Sequence, residues 1–118
     1  MNLSENLFGQ LQSLSNELDE TIRKEWTAGI ELAEAEAAYN IAVNQEALRQ
    51  KDAGMTVTFI NSFIKGVEAV ATLRKQRDIA EVKYKTLQDK ANSLKLQLRI
   101  VDNQINREWS GRYADDPV

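Results

Sequence analysis

Three glutamates on an alanine-rich stretch, Glu31, Glu34 and Glu36, come closest to the carboxylate spacing of a metal site. Di-iron helical bundles combine such carboxylates with Glu-x-x-His pairs, and the histidines complete the ligand set. This chain has no histidine and no cysteine, so the usual imidazole and thiolate ligands, thiol nucleophiles and neutral-pH proton carriers are missing. We therefore interpret the glutamates as a solvated acidic face. We expect no catalytic residue, metal or cofactor, and a protein that is not an enzyme.

A run of cations on one segment is the second group that could do chemistry. Basic side chains interleaved with an aromatic ring, here Tyr84, are a feature of surfaces that bind nucleic acid. Acids nearby (Glu81, Asp89 and Asp102), a net charge of -3 and a pI of about 5.0 argue against a strongly basic footprint. We favour a solvated, ion-pairing face and keep a nucleic-acid accessory factor in replication or recombination as the alternative function. The cations are Lys83, Lys85, Lys90, Lys95 and Arg99.

Two tryptophans lie in similar surroundings near opposite ends of the chain. The segments 22–27 and 105–110 share the pattern Ile-x-basic-Glu-Trp-hydroxyl, which places Trp26 and Trp109 at equivalent positions. An aromatic side chain that closes a packed layer explains this pattern without any function. The alternative is a pair of anchors, since tryptophan and arginine dominate many binding interfaces. Trp109 is the better anchor because Arg107, Arg112 and Tyr113 are its neighbours.

The elements that would position these side chains are helices. The second half of the chain carries apolar residues at alternating steps of three and four, the pattern of a coiled-coil seam that packs against a partner helix. Only one proline is present, Pro117, so no internal residue forbids a helix. The seam residues are Tyr84, Leu87, Ala91, Leu94, Leu98, Val101 and Ile105.

The first half supplies a stripe of similar length, in which steps of four predominate. Leucines lead up to Ile22 and Trp26, and small residues follow, which allow two backbones to approach closely. Gly29 costs about 1 kcal/mol relative to alanine inside a helix, so it marks either a tight crossing or a bend near Trp26. The stripe consists of Leu3, Leu7, Leu11, Leu14, Leu18, Ile22 and Trp26.

These stripes predict an all-α fold, a long antiparallel two-helix coiled-coil hairpin over residues 1–110. Helix one covers about 3–53, the turn 54–57 and helix two about 58–110, with 111–118 as a flexible tail. Gly54 suits the end of helix one, and Thr56 or Thr58 can cap helix two. Cross-hairpin neighbours then have numbers summing to about 110, with Trp26 beside Tyr84. Two chains that exchange helices would bury the same residues.

Apolar residues left outside the seam predict self-association. Ile79, Val82, Leu96 and Ile100 lie off the stripe of helix two, and a monomer would expose them. We therefore predict a homo-oligomer that forms a helical bundle and binds an unidentified protein partner. The predicted binding residues are Leu96, Ile100, Arg107, Trp109, Arg112 and Tyr113. The start of the chain lacks the features of a signal peptide, and no stretch is apolar enough to cross a bilayer. The expected location is the cytoplasm, without a membrane partner.

Two stretches of the second half give the chain a resemblance to a known group of proteins. The segments 65–71, reading KGVEAVA, and 91–99, reading ANSLKLQLR, lead to Arg107-Glu108-Trp109. In these segments the chain resembles small helical accessory proteins of tailed bacteriophages and prophages. The resemblance implies a compact accessory protein made in the bacterial host cytoplasm, and it implies nothing about the target. It assigns no functional residue. A narrower form of the predicted protein-binding function is a phage inhibitor that binds a bacterial host or defence protein.

Overall fold

The computed structural model describes the backbone of residues 3–115 and the side chains of residues 5–111. Three helices follow one another: α1 (Leu3–Asp52), α2 (Val57–Ile64) and α3 (Glu68–Asp115). No strand occurs among these residues, so the all-α prediction is confirmed. The chain divides into two compact units. Unit 1 combines Met1–Glu25 with Thr86–Val118, and unit 2 is Trp26–Lys85.

In unit 1 the start of α1 packs against the end of α3. Leu7 is buried with Val101 and Ile105, and Leu11 and Leu14 pack against this cluster. Further along α1, Glu17 forms an ion pair with Lys90, whose Nζ lies 3.4 Å from Oε1. Because contacts advance along α1 as they go back along α3, the two segments are antiparallel.

In unit 2 all three helices contribute to one cluster. Ile60 and Ile64 of α2 are buried with Val70 of α3. Their spacing of four residues places both on one face of α2, so this short helix is held by apolar burial. The partly buried residues packed against the cluster are Tyr39, Ala42, Val43, Ala47, Met55 and Val67.

The end of α1 is formed by a hydrogen-bonded glycine cap. Gly54 has a φ of 87°, a left-handed conformation that costs a residue with a Cβ about 1–2 kcal/mol. Its N–H donates to the carbonyl of Lys51, and the N–H of Met55 donates to that of Gln50, both at 3.0 Å. These two bonds define a Schellman motif. Thr56 then caps α2, because its hydroxyl oxygen accepts from the N–H of Phe59 at 3.4 Å.

The predicted helix two is interrupted. Lys65, Gly66 and Val67 separate α2 from α3, and the Nη1 of Arg74 donates to the carbonyl of Lys65 at 3.4 Å. The break allows α2 to place Ile60 and Ile64 in the cluster at the end of α1. At its other end the helix extends to Asp115, into the predicted tail 111–118, since no proline precedes residue 117. Residues 116–118 lie outside the described part of the chain.

The inward positions of α1 follow a heptad more strictly than the predicted stripe. Buried and half-buried residues recur at steps of four and three from Leu7 to Glu46. The predicted stripe and the observed inward positions differ after Leu18, where Thr21 and Glu25 face inward instead of Ile22 and Trp26. The inward set is Leu7, Leu11, Leu14, Leu18, Thr21, Glu25, Ala28, Leu32, Ala35, Tyr39, Ala42 and Glu46.

The α3 seam extends beyond both ends of the predicted one. Every residue predicted for it, from Tyr84 to Ile105, is buried or half-buried, and the same alternation runs back to Val70 and forward to Glu108. Arg77, a charged residue, occupies one of these inward positions. The additional positions are Val70, Leu73, Arg77, Ala80 and Glu108.

Gly29 marks a close approach within an unbroken helix. A Cβ added there would lie 3.2 Å from Cε2 of Tyr84. The predicted neighbour of Tyr84, Trp26, is instead 71% exposed. Trp26 lies between the inward positions Glu25 and Ala28 in the sequence but is not one of them, and its side chain is turned outward.

Candidate interaction surfaces

Large apolar side chains are exposed on the outward face of α3 in each unit. In unit 1, Leu96 is 55% and Ile100 48% exposed, as predicted from their place off the seam. In unit 2, Ile79 and Val82 are exposed as well. Single exposed apolar side chains are common on protein surfaces, but several on one face of a helix indicate an interaction site.

The predicted partner-binding residues do not form one site. Trp109 is 46% exposed, but it lies nine residues after Ile100, which places the two side chains half a turn apart on opposite sides of α3. Ile100 lines a shallow groove with Gln10, Ser13, Leu14, Gln97, Val101 and Gln104. Arg107 lines a neighbouring hollow with Leu7, Gln104 and Glu108. The side chains of Arg112 and Tyr113 lie outside the described residues, although both belong to α3.

The longest exposed apolar stripe lies on α1 in unit 2. We call it the outer α1 stripe. It faces away from the inward heptad positions, and sequence reasoning missed it because Trp26 was assigned to the seam. The spacing in the sequence indicates this stripe, since steps of four, three, four, four and seven keep its residues on one side of a helix. Its members are Trp26, Ile30, Ala33, Ala37, Ile41 and Leu48.

The short helix α2 adds an exposed aromatic pair to unit 2. The rings of Phe59 and Phe63 stack with their centroids 6.2 Å apart and their planes 19° apart. Both are exposed, as is Val57, while Ile60 and Ile64 on the other side are buried. The apolar residues of α2 are therefore divided between a buried side and an exposed side.

The cations of α3 are largely committed to ion pairs. Lys83 bonds to Glu31 at 3.0 Å, Lys85 to Glu81 at 2.8 Å, and Lys90 to Glu17 at 3.4 Å. The hydrogen bond and the charge of Glu81 raise the pKa of Lys85. Such exposed pairs contribute about 0.2–1 kcal/mol each. The predicted ion-pairing face is confirmed for these three lysines, and the pairs reduce the positive charge that a phosphate backbone could meet.

The acidic cluster of α1 offers no metal centre. Glu31 faces Lys83, and no group of three or more acidic side chains in the described part of the chain is arranged to hold a metal ion. Glu46, the most buried acid, is 8% exposed, and its carboxylate is bonded within its own helix. Oε1 accepts from Gln50 at 2.8 Å, and Oε2 lies 3.1 Å from Arg49.

Comparison with known proteins gives no relative from which a role could be transferred: no family model, curated protein or solved structure matches this chain. Across the described residues, no helix is both long enough and apolar enough to span a membrane.

Proposed function

We propose that this protein is a non-enzymatic, self-associating helical module for protein binding. Within each unit, the segments of α1 and α3 pair as an antiparallel coiled coil, and apolar side chains outside that pairing bind a further helix. One observation supports the proposal above others: the residues opposite the inward positions of both long helices include large apolar side chains. A helix that is apolar on two faces is most stable when both faces are buried against other helices.

The inward heptads of the two helices support the coiled-coil part of the proposal. Both follow the three-and-four alternation, from Leu7 to Glu46 in α1 and from Val70 to Glu108 in α3. Flanking pairs such as Glu17–Lys90 and Glu31–Lys83 join α1 to α3 beside the seam, as charges do in coiled coils. Since these positions are filled within the chain, a further partner must use the outward faces.

Sedimentation velocity of the wild-type chain, from micromolar to about a hundred micromolar concentration, tests self-association. We expect the weight-average sedimentation coefficient to rise with concentration or to equal that of a stable oligomer. A strict monomer over the whole range would overturn the proposal. Chemical denaturation at two protein concentrations gives a second readout, because the midpoint of a self-associating protein rises with concentration.

A further inference from the structure

The outer α1 stripe has a spacing that matches itself when the helix is reversed. With the exposed Asn44 included, the stripe positions from Trp26 to Leu48 are separated by four, three, four, four, three and four residues. Ala37 is the middle position. Two copies placed antiparallel with Ala37 against Ala37 would set each stripe position opposite another, over about 33 Å of helix.

Side-chain sizes fit this register. Ile41 would lie opposite the small Ala33, and Trp26 opposite Leu48, so large residues meet small ones near the centre and apolar residues meet at both ends. Alanine at the crossing point lets helix axes approach to about 8 Å, the short end of the usual packing range. The one polar mismatch is Ile30 opposite Asn44.

The size and symmetry of the stripe favour a second copy over other occupants. The four large side chains of the stripe, Trp26, Ile30, Ile41 and Leu48, are 40–71% exposed, and a second copy would cover this apolar surface along its whole length. Isologous dimers are also the commonest oligomers. The outward face of α3 in unit 2 is a shorter alternative, since Lys75 interrupts its apolar residues Ala71, Ile79 and Val82.

We infer that the outer α1 stripe is the contact of an antiparallel homodimer with its two-fold axis at Ala37. This inference rests on the proposed self-association and names the surface responsible. Glu34 and Glu36 lie on opposite edges of the stripe, so this arrangement adds acids of the second copy along both edges, and no basic residue lies between residues 25 and 48 to offset them. The dimer is therefore held by apolar contact against like-charge repulsion, so it tightens as salt is added.

Single cysteines test the register directly, because the wild-type chain contains none. A disulfide needs Cα atoms closer than about 7 Å, a condition that the two-fold axis meets only at residue 37. Under mild oxidation, A37C is expected to form covalent dimers on the order of tenfold or more faster than A38C, since cysteines held together have a high effective concentration. Ala38 is the matched control, being exposed on the same helix but turned about 100° away.

A mixture of A33C and I41C separates this register from other arrangements. The mixture is expected to cross-link as a heterodimer, whereas each variant alone is slow because its cysteines are separated by about 12 Å along the axis. Equal rates for A37C and A38C, or no gain in the mixture, would overturn the inference. Association that weakens with added salt would overturn it too, and would indicate contact between the acids beside the outer α1 stripe of one copy and the Lys75 face of α3 of the other.

The wild-type chain and one pair of substitutions keep this test separate from that of the proposed function. If wild type sediments as a monomer, self-association itself fails. If wild type associates and the cross-links do not form, only the assigned surface fails. I41E is expected to raise the dissociation constant on the order of tenfold or more by placing a charge in the contact, while N92E, at an exposed polar site of α3, leaves it unchanged. An equal effect of both would contradict the assignment.

Discussion

Arg77 lies with its guanidinium carbon 4.4 Å from the centre of the Tyr39 ring. Both residues occupy inward heptad positions, Arg77 on α3 and Tyr39 on α1. The Nη2 and Nε atoms of the guanidinium donate to Oδ1 of Asp78 at 2.9 and 3.1 Å. This hydrogen bond and the charge of Asp78 raise the pKa of Arg77. A permanent cation therefore takes part in the inward face, with its guanidinium over the Tyr39 ring and its side chain 28% exposed.

Two substitutions at Arg77 separate its charge from its stem. R77M keeps an apolar stem and removes the contact between cation and ring, at an expected cost of about 0.5–1 kcal/mol in the free energy of unfolding. R77A removes the stem as well and should cost more. Urea denaturation measures both, and D78N serves as a control for the exposed ion pair, with an expected cost below about 1 kcal/mol. If R77M and R77A matched wild type, the contact would contribute nothing to stability.

Arg77 also shows where reasoning from sequence succeeds and where it fails. The seam from Tyr84 to Ile105 could be predicted because each of its members is apolar. Thr21, Glu25 and Arg77 could not, since a search for apolar residues at coiled-coil spacing passes over polar side chains that face inward. The guanidinium of Arg77 packs over the ring of Tyr39, which is distant in sequence. The hydroxyl of Thr21 donates a hydrogen bond to the carbonyl of Glu17 at 2.8 Å. Preferring the larger apolar residues Ile22 and Trp26 at this point rotated the predicted stripe away from the true one.

Leu94 and Leu96 provide a matched test of the inward face of α3. Leu94 is 3% exposed, whereas Leu96 faces outward on the same helix. L94A is expected to reduce the free energy of unfolding by about 2–5 kcal/mol, because it removes a buried side chain and leaves a cavity. L96A should change it by less than about 0.5 kcal/mol in the monomer. Urea denaturation at low protein concentration measures both, and similar losses would contradict the assignment of the two faces.

The break between α2 and α3 is a second point that sequence did not reveal. The residues around Gly66 favour helix on both sides, so local patterns predict one continuous element. The interruption depends on contacts formed after the chain has turned, namely the burial of Ile60 and Ile64 with Val70 and the bond from Arg74 to Lys65. The outer α1 stripe differs from this break, because its spacing can be read from the sequence without knowledge of any tertiary contact.

Gly29 and Gly9 provide a matched pair of helical glycines. A Cβ at Gly9 meets nothing within 4 Å, so G9A is expected to stabilise the protein by about 0.5–1 kcal/mol through helix propensity alone. At Gly29 the new Cβ would lie 3.2 Å from the Tyr84 ring, and crowding removes part or all of that gain.

A double-mutant cycle isolates the crowding at Gly29. In a Y84A background, G29A should recover the stabilisation seen for G9A, because the ring is no longer there. Thermal and urea unfolding of the four chains give the coupling free energy between positions 29 and 84. A coupling of zero would mean that the helix accepts the methyl group without moving Tyr84.

Glu46 tests whether a buried carboxylate contributes to stability. Its bonds go to Gln50 and Arg49 of the same helix, so it holds no other helix in place. E46L fills the same inward position with an apolar side chain, and we expect the free energy of unfolding to stay equal or to rise by about 1 kcal/mol. E36L, at an exposed site, controls for helix propensity. A loss of more than about 2 kcal/mol in urea denaturation would show that the carboxylate has a structural role beyond these bonds.

Glu20 and Lys24 give the expected response to pH on the surface of α1. Their ion pair spans 3.1 Å, and the hydrogen bond and charge of Lys24 lower the pKa of Glu20 from its ordinary value of 4.5. A carboxyl whose pKa is lower in the folded chain adds stability above its unfolded pKa, and this contribution disappears as the pH falls through the folded pKa. K24M keeps the stem and removes the charge, so the titration midpoint of Glu20, followed by carboxyl NMR, should move upward. The midpoint of Lys85 depends on Glu81 and should not move, so an unchanged Glu20 midpoint in K24M would show that the pair is not formed in solution.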